Sequence, residues 1–182
     1  MAWQNLSQLQ SCRFTCGHCG YSVANDRGYY SSGDNGRIYI CPSCEKPTCF
    51  DYQGMQTPGV AYGNQVDYLP DSVNQLYREA RSCCSAAAYT SCVLACRKIL
   101  MNIAVEQGAK EGLTFVAYID FLAGSGFIPP NGRGWVDHIR KRGNEATHEI
   151  ALMSKSDAQE LVSFVEMLLK FIFEFPARVP GA

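Results

Sequence analysis

The chain has 182 residues, enough for one medium domain or two small ones. Its net charge is −1 and 18% of its residues are charged, so it lacks the overall positive charge of many nucleic-acid-binding proteins. No basic stretch followed by an apolar run indicates a signal peptide at the N-terminus. Glu166, Lys170 and Glu174 interrupt the longest apolar run, residues 161–175, which argues against a membrane span. We therefore expect a cytoplasmic protein that makes no use of a membrane.

Cysteine usage points to a metal site. The chain has ten cysteines and no signal sequence, a combination that favours metal ligands and buried thiols over disulfides. Two CxxC pairs lie near the N-terminus, and residues 20–40 separate them, a spacing typical of zinc ribbons. Each pair forms a tight turn that directs two thiolates at one ion. We predict a structural zinc ion with no open coordination position, bound by Cys16, Cys19, Cys41 and Cys44.

Other residues near these pairs were weighed as ligands. Cys12 and Cys49 flank the pairs and are alternative ligands, although we favour their interpretation as spare thiols. His18 lies inside the first pair, and we expect it to be a loop residue or a hydrogen-bond donor to a ligand, because four cysteines already complete the shell. Residues 21–24 and 37–40 have strand-like composition. A segment this small buries little core, so the metal must supply much of its folding free energy.

The remainder of the chain has helical periodicity. We expect a zinc ribbon over residues 1–53, a linker rich in Gly, Pro, Gln and Asn over 54–70, and a helical domain over 71–182. The fold class that follows is mainly α, a bundle of about five helices preceded by a small β module. The helices are predicted at residues 71–87, 90–107, 114–123, 135–150 and 156–174.

Four cysteines fall within the predicted helices. Cys92 and Cys96 are spaced i, i+4 and so lie on one helix face, where they are able to chelate a metal. We favour the simpler interpretation that they are small buried apolar residues of the core. The same interpretation applies to Cys83 and Cys84.

The last predicted helix has an unusually wide apolar surface. Its apolar residues cover an arc of roughly 240°, against roughly 100° for an ordinary surface helix. Such a helix is either the centre of a bundle or buried against a second subunit. We favour a homodimer, because a domain of this size seldom surrounds one helix so completely.

The segment 135–150 carries the main functional motif. Read as a helix, it places its apolar residues within an arc about 100° wide. The polar residues Arg140, Asn144 and His148 follow at i, i+4 and i+8, so they form a stripe roughly 130° from that arc. Gly143 in mid-helix costs about 1 kcal/mol relative to Ala, which suggests that a backbone or ligand approaches closely there. The apolar arc consists of Trp135, Val136, Ile139, Gly143, Ala146 and Ile150.

This motif carries a family resemblance. The run IRKRGNEATHEI resembles the signature of the bacterial family called domain of unknown function 4145, in which Arg, two residues, Gly-Asn, three residues and His follow one another. Arg140, Gly143, Asn144 and His148 match that pattern. The family in turn resembles the HEPN superfamily of helical proteins, whose RNases have an Arg followed by four to six residues and then His. Arg142 fits that second rule, while Arg140 stands one position too far away. We favour Arg140 as the functional arginine and keep Arg142 as the second choice.

The resemblance implies a fold and a function. It implies a HEPN-like helical bundle that cleaves RNA without a catalytic metal, leaves a 2′,3′-cyclic phosphate and acts in phage defence or a toxin system. An imidazole such as His148 suits proton transfer at the 2′-hydroxyl, and a guanidinium such as Arg140 suits the phosphate charge. Asn144 would orient the imidazole or the phosphate. The resemblance also places the active site where two subunits bring their motifs together.

Two other interpretations of the stripe remain. In the first, the stripe is a solvated or purely structural helix face, as polar stripes opposite a core face commonly are. Alternatively, the protein is a catalytically inactive regulatory module that binds nucleic acid or another protein. In that case the zinc ribbon is a candidate docking site, because it is rich in tyrosine and phenylalanine, although its basic and acidic residues balance.

Overall fold

A computed structural model describes residues 3–33, 35–129, 134–135 and 152–179. The chain divides into two compact units, Met1–Ala61 and Tyr62–Ala182. Within the described ranges, no helix combines the length and the apolar character needed to cross a membrane.

The first unit is an antiparallel sheet of five strands. Each strand pairs with the next one in sequence, so the order across the sheet is β1-β2-β3-β4-β5. Short connections allow this topology, because antiparallel neighbours need only a tight turn between them. The strands are β1 (Ser7–Thr15), β2 (Ser22–Tyr30), β3 (Gly36–Ile40), β4 (Pro47–Asp51) and β5 (Gln56–Thr57).

One face of the sheet carries a small aromatic core. The rings of Phe14, Tyr39 and Phe50 lie 5.4 to 5.9 Å apart between centroids, and two of the three pairs meet edge-on. Phe14 and Tyr39 are buried, and the Tyr39 hydroxyl donates a hydrogen bond to the Gln10 carbonyl at 2.8 Å. Gly28 on β2 pairs with Tyr39 on β3. A Cβ on Gly28 would lie 1.8 Å from the Ile38 carbonyl oxygen, so only glycine allows β2 and β3 to approach this closely.

The second unit is helical. Its four longer helices begin within one residue of the predicted starts, because apolar residues at helical spacing mark these segments in the sequence. Thr114 accepts a hydrogen bond from the Ala117 N–H, and Ser154 forms a capping box with Asp157. The helices are α1 (Asp71–Ser85), α2 (Tyr89–Glu106), α3 (Phe115–Gly124) and α4 (Lys155–Leu169), which continues through a π-helical turn (Lys170–Glu174) into the short α5 (Phe175–Arg178).

Helix α4 packs against α2 and α1. The buried apolar residues on α4 are Ala158, Leu161, Val162, Phe164, Val165, Leu168 and Leu169. Its wide apolar surface is thus largely covered within the chain, as the central-helix alternative requires. Beyond Leu169 the covering is partial, since Phe171 and Phe175 are about half exposed while Ile172 and Phe173 pack against the core.

The cysteines of the helical unit belong to its core. Cys92 and Cys96 have no exposed surface, and Cys84 is buried as well. Cys83 is half-buried and packs against the same core. Their interpretation as buried core residues is confirmed, and among the described residues the only group of three or more potential metal ligands lies in the sheet unit.

The predicted fold class is wrong. The described residues contain four helices of ten or more residues together with a five-stranded N-terminal sheet, rather than a mainly α, HEPN-like bundle of about five helices. The sheet was underestimated because β1 and β2 are rich in Ser, Gln and Asn, which have low β propensity. Cross-strand pairing and the aromatic core stabilise them instead. The fifth predicted helix, 135–150, falls outside the described residues except for Trp135.

The segment 54–70, expected to be a linker, contributes to both units. It includes β5, which pairs with β4. Its later part contacts the helical unit, where the Tyr62 hydroxyl lies 3.1 Å from Ser163 Oγ and the buried Val66 joins the helical core. The boundary between the two units falls after Ala61.

Candidate metal centre

The two CxxC turns have the same backbone hydrogen bonds. In the first turn the Cys16 N–H donates to the Tyr21 carbonyl at 2.9 Å, and the Gly20 N–H donates to the Cys16 carbonyl at 2.8 Å. In the second turn Cys41 donates to the Lys46 carbonyl at 3.0 Å, and the residue after Cys44 donates to the Cys41 carbonyl at 2.8 Å. This repetition turns both pairs of thiols toward one point.

Each turn closes on a residue with left-handed backbone. Gly20 has φ +76°, and Glu45 at the equivalent position of the second turn has φ +58°. Glycine adopts this conformation without steric cost, whereas a side chain such as that of Glu45 is strained there. A hydrogen bond from Trp3 stabilises the second turn in that conformation, since the indole Nε1–H donates to the Glu45 carbonyl at 2.7 Å.

The four thiols have the spacing of a tetrahedral metal site. The Sγ atoms of Cys16, Cys19, Cys41 and Cys44 all lie within 4.8 Å of one another. The two closest pairs across the site are Cys16 Sγ–Cys44 Sγ at 3.7 Å and Cys19 Sγ–Cys41 Sγ at 3.8 Å. A tetrahedron with metal–sulfur bonds of about 2.3 Å has S···S edges of about 3.8 Å. The residues present therefore fit a tetrahedral ion held by four thiolates.

The site is enclosed on the side of the sheet. Cys16 and Cys41 are fully buried and belong to the same core as Phe14 and Tyr39, while Cys19 and Cys44 are half-buried. On its other side, a Cβ on Gly17 would lie 2.2 Å from the Pro58 carbonyl oxygen, so the chain after β5 passes directly over the first turn. The sequence analysis did not predict this contact. Its signal in the sequence is Gly17 itself, a residue without a side chain inside the first CxxC pair.

The protonation of the four thiols is coupled. At Cys16 burial acts to raise the pKa, but hydrogen bonds from the backbone of Cys19 and His18 and from neighbouring thiols outweigh it and lower the pKa to about 7. At Cys44 burial and the neighbouring thiols raise the pKa to about 12. The pKa of Cys41 is also raised, mainly by burial. Cys16 therefore loses its proton more readily than Cys41 or Cys44, whose thiolates would repel that of Cys16. A divalent cation would offset that repulsion.

The remaining candidates near the site lie outside the group of four. His18 Nε2 is 3.0 Å from the Pro47 carbonyl oxygen, so its ring bridges to the start of β4, while its backbone N–H donates to Cys16 Sγ at 3.4 Å. Cys12 and Cys49 are not members of the four-cysteine group. Cys12 is half-buried on β1 and Cys49 is exposed on β4.

The catalytic candidates Arg140, Arg142, Asn144 and His148 lie outside the described residues. The structure does describe the chain just before and just after their segment. Trp135 meets the buried Phe164 of α4 edge-on, with ring centroids 5.5 Å apart. On the other side, the Met153 N–H donates to Thr90 Oγ1 in the first turn of α2 at 3.2 Å.

Comparison with known proteins identifies the family of the helical unit. The family described as Domain of unknown function (DUF4145) matches residues 78–180, more than half of the chain. The protein belongs to this family. No curated protein and no solved structure matches the chain.

Proposed function

We propose that this protein cleaves single-stranded RNA with groups on its segment 135–150, and that a structural zinc ion stabilises its N-terminal unit. The observation that carries the cleavage proposal is the motif of Arg140, Gly143, Asn144 and His148 inside the family match. The resemblance of that motif to HEPN RNases supplies the reaction type. Trp135, five residues before Arg140, and Met153, five residues after His148, support it because both contact the helical unit, at Phe164 and at Thr90.

The proposed reaction uses only the chain's own groups. His148 accepts the 2′-hydroxyl proton, and the 2′-oxygen attacks the adjacent phosphorus. The 5′-oxygen leaves as the new bond forms, takes up a proton, and a 2′,3′-cyclic phosphate remains on the other fragment. Arg140 stabilises the charge on the phosphorane oxygens through paired N–H donors. Asn144 orients the imidazole or the phosphate.

The zinc proposal rests on the donor set and its geometry. Four thiolates are the soft, tetrahedral ligand set that structural zinc prefers, and the two cross-site distances of 3.7 and 3.8 Å match it. With all four positions taken by cysteine, the ion has no open position for catalysis. Its role is to hold the two turns of a zinc ribbon together, because this unit has only a small core.

The cleavage proposal is tested with a labelled pool of single-stranded RNA in the absence of added divalent metal. We expect cutting by the wild type that leaves cyclic-phosphate ends, and loss of cutting in His148→Ala. The matched control is His138→Ala, which removes a histidine of the same segment that is not on the Arg140/Asn144/His148 stripe. Arg140→Ala and Arg142→Ala, compared side by side, decide which arginine acts. Cutting by His148→Ala at the wild-type rate would refute the proposal.

The resemblance also implies a homodimer in which two motif segments meet. Phe171 and Phe175, half exposed and in edge-on contact at 6.3 Å, support it by offering apolar surface just beyond the covered part of α4. Light scattering in the micromolar range should give twice the chain mass of 20.1 kDa. Phe175→Asp should shift the protein toward the monomer. A mass of one chain for the wild type across that range excludes the dimer.

A second candidate function is non-catalytic binding of nucleic acid or protein through the sheet unit. The observation that favours it is the exposure of three tyrosines there, with 66% of Tyr21, 63% of Tyr30 and 74% of Tyr52 accessible to solvent. Exposed aromatic rings provide stacking surfaces for bases or side chains. Retention of RNA or a protein partner by a chain that cuts nothing, with loss of retention in Tyr52→Ser, would favour this function over cleavage.

A further inference from the structure

The guanidinium of Arg97 on α2 lies over an aromatic ring. Its Cζ atom is 4.4 Å from the centroid of Phe115, the buried first residue of α3. This distance is well within the range of a cation–π interaction. The ring supports one face of the planar guanidinium and so limits its orientation, while the N–H groups at the edge of the plane stay available.

Arg97 differs from the other partly buried cations of this unit. Arg81 donates to the carbonyls of Tyr62 and Gly63, and Lys170 forms an ion pair with Glu166. Arg97 has neither a hydrogen bond nor an ion pair with any residue that the structure describes, although it is half-buried. Burial lowers the pKa of Arg97, which reflects the free-energy cost of holding an unpaired charge there. An arginine nevertheless stays charged at neutral pH.

The position of Arg97 relates it to the motif segment. Thr90 Oγ1 accepts a hydrogen bond from the N–H of Met153, which stands three residues after the end of the motif segment in the sequence. Arg97 follows Thr90 by seven residues on the same helix, so both lie on the same face of α2, about 10 Å apart along its axis. Arg97, which has no charged partner among the described residues, therefore lies on the face of α2 that Met153 contacts.

We infer that Arg97 binds a backbone phosphate of the RNA substrate, an inference that rests on the proposed function. A guanidinium presents paired N–H donors that match two phosphate oxygens. Stacking on Phe115 orders that donor pair before the ligand arrives, which reduces the entropy lost on binding. A phosphodiester supplies the negative charge that no described residue supplies to Arg97.

A purely structural role makes a different prediction for RNA affinity. If Arg97 only covers Phe115 with its aliphatic stem, Arg97→Met should keep that cover and leave RNA affinity unchanged. If Arg97 binds phosphate, the same substitution should weaken RNA binding while the protein stays as stable as the wild type or becomes more stable, because an unpaired half-buried charge has been removed. Thermal unfolding and RNA affinity, measured on the same variant, separate the two roles.

The test uses a fluorescent 2′-O-methyl oligoribonucleotide, whose blocked 2′-oxygens prevent cleavage, and measures its Kd by anisotropy at several salt concentrations. Arg97→Met should raise Kd roughly tenfold or more, as loss of a charge-assisted contact does. The slope of log K against log salt should fall by about 0.7, the value for one phosphate contact on a single strand. Lys98→Met is the matched control, because Lys98 is the exposed cation next along α2, and its Kd and slope should follow the wild type.

The outcomes keep this inference separate from the cleavage proposal. Equal Kd and equal salt slope for wild type and Arg97→Met would overturn the inference, whatever the cleavage assay gives. Failure of the wild type to bind the oligonucleotide at low salt would overturn it as well. Silence in the cleavage assay, combined with the expected loss of affinity in Arg97→Met, would refute cleavage and leave the phosphate contact standing.

Discussion

The backbone N–H of Asn64 donates a hydrogen bond to Glu166 Oε2 at 2.7 Å, which joins the segment before α1 to the middle of α4. The Asn64 side-chain amide donates to Glu166 Oε1 at 2.9 Å, and the Lys170 ammonium donates to the same oxygen. One carboxylate thus receives three donors. A second connection follows at the buried Glu174, which accepts from the Asp67 N–H at 3.1 Å.

Loss of the Glu166 carboxylate should destabilise the helical unit. Glu166→Ala leaves the Asn64 amide groups and Lys170 without their acceptor, and hydrogen bonds to a charged group contribute about 1.5–3 kcal/mol. We expect the free energy of unfolding to fall by about 2 kcal/mol, measured by urea denaturation. The control is Glu106→Ala, at the exposed end of α2, which should change it by less than about 0.5 kcal/mol. An effect of Glu166→Ala no larger than the control would contradict the prediction.

The contribution of Glu166 should depend on pH in the acid range. Burial acts to raise the pKa of Glu166, but hydrogen bonds from Lys170 and Asn64 outweigh it, so the pKa lies below its ordinary value. A carboxyl with a depressed folded pKa stabilises the fold above the unfolded pKa of about 4.3 and loses that contribution as pH falls through the folded pKa. The stability difference between wild type and Glu166→Gln should be constant from pH 7 to about 5 and shrink below about 4. A difference that grows on acidification would reverse the sign and refute this account.

Removal of one cysteine ligand should abolish metal binding and alter the surroundings of Trp3. We expect one zinc ion per chain in the wild type by elemental analysis, and well under one in Cys44→Ser. Because Trp3 donates to the carbonyl of Glu45 next to Cys44, its fluorescence should report the loss in a Trp135→Phe background. Cys49→Ser, which changes an exposed cysteine outside the group of four, should keep both the zinc and the fluorescence. Zinc retained by Cys44→Ser at full stoichiometry would exclude this ligand set.

Substitution of Thr48 should stabilise the sheet unit. Thr48 on β4 is fully buried, and its Oγ1 has no hydrogen-bond partner among the described residues. Val has nearly the same shape without the hydroxyl, so Thr48→Val removes a desolvated polar group and leaves the packing unchanged. We expect a gain of about 1 kcal/mol in the free energy of unfolding of the zinc-loaded protein. Thr57→Val, at an exposed position of β5, serves as the control and should change little; a loss of stability in Thr48→Val would show that the hydroxyl has a partner.

Local sequence signals located the helices and the metal ligands. The starts of α1 to α4 were predictable to within one residue because the helical spacing of apolar residues depends only on residues close in sequence. The four cysteines whose Sγ atoms lie within 4.8 Å of one another were also predictable. A CxxC turn is a local structure, and two such pairs at this spacing are typical of one shared metal site.

Tertiary structure decided what depends on residues far apart in the chain. The pairing of the polar strands β1 and β2, the passage of Pro58 over Gly17, and the connection of Asn64 to Glu166 each join segments with no shared sequence pattern. The same holds for Arg97, which lies over Phe115 and has no ion pair within the described part of the chain, because charge pairing and burial depend on the folded surroundings and not on the residue type. Sequence by itself determined where helices begin and which thiols meet, whereas the fold class and the exposure of each charge required the long-range contacts.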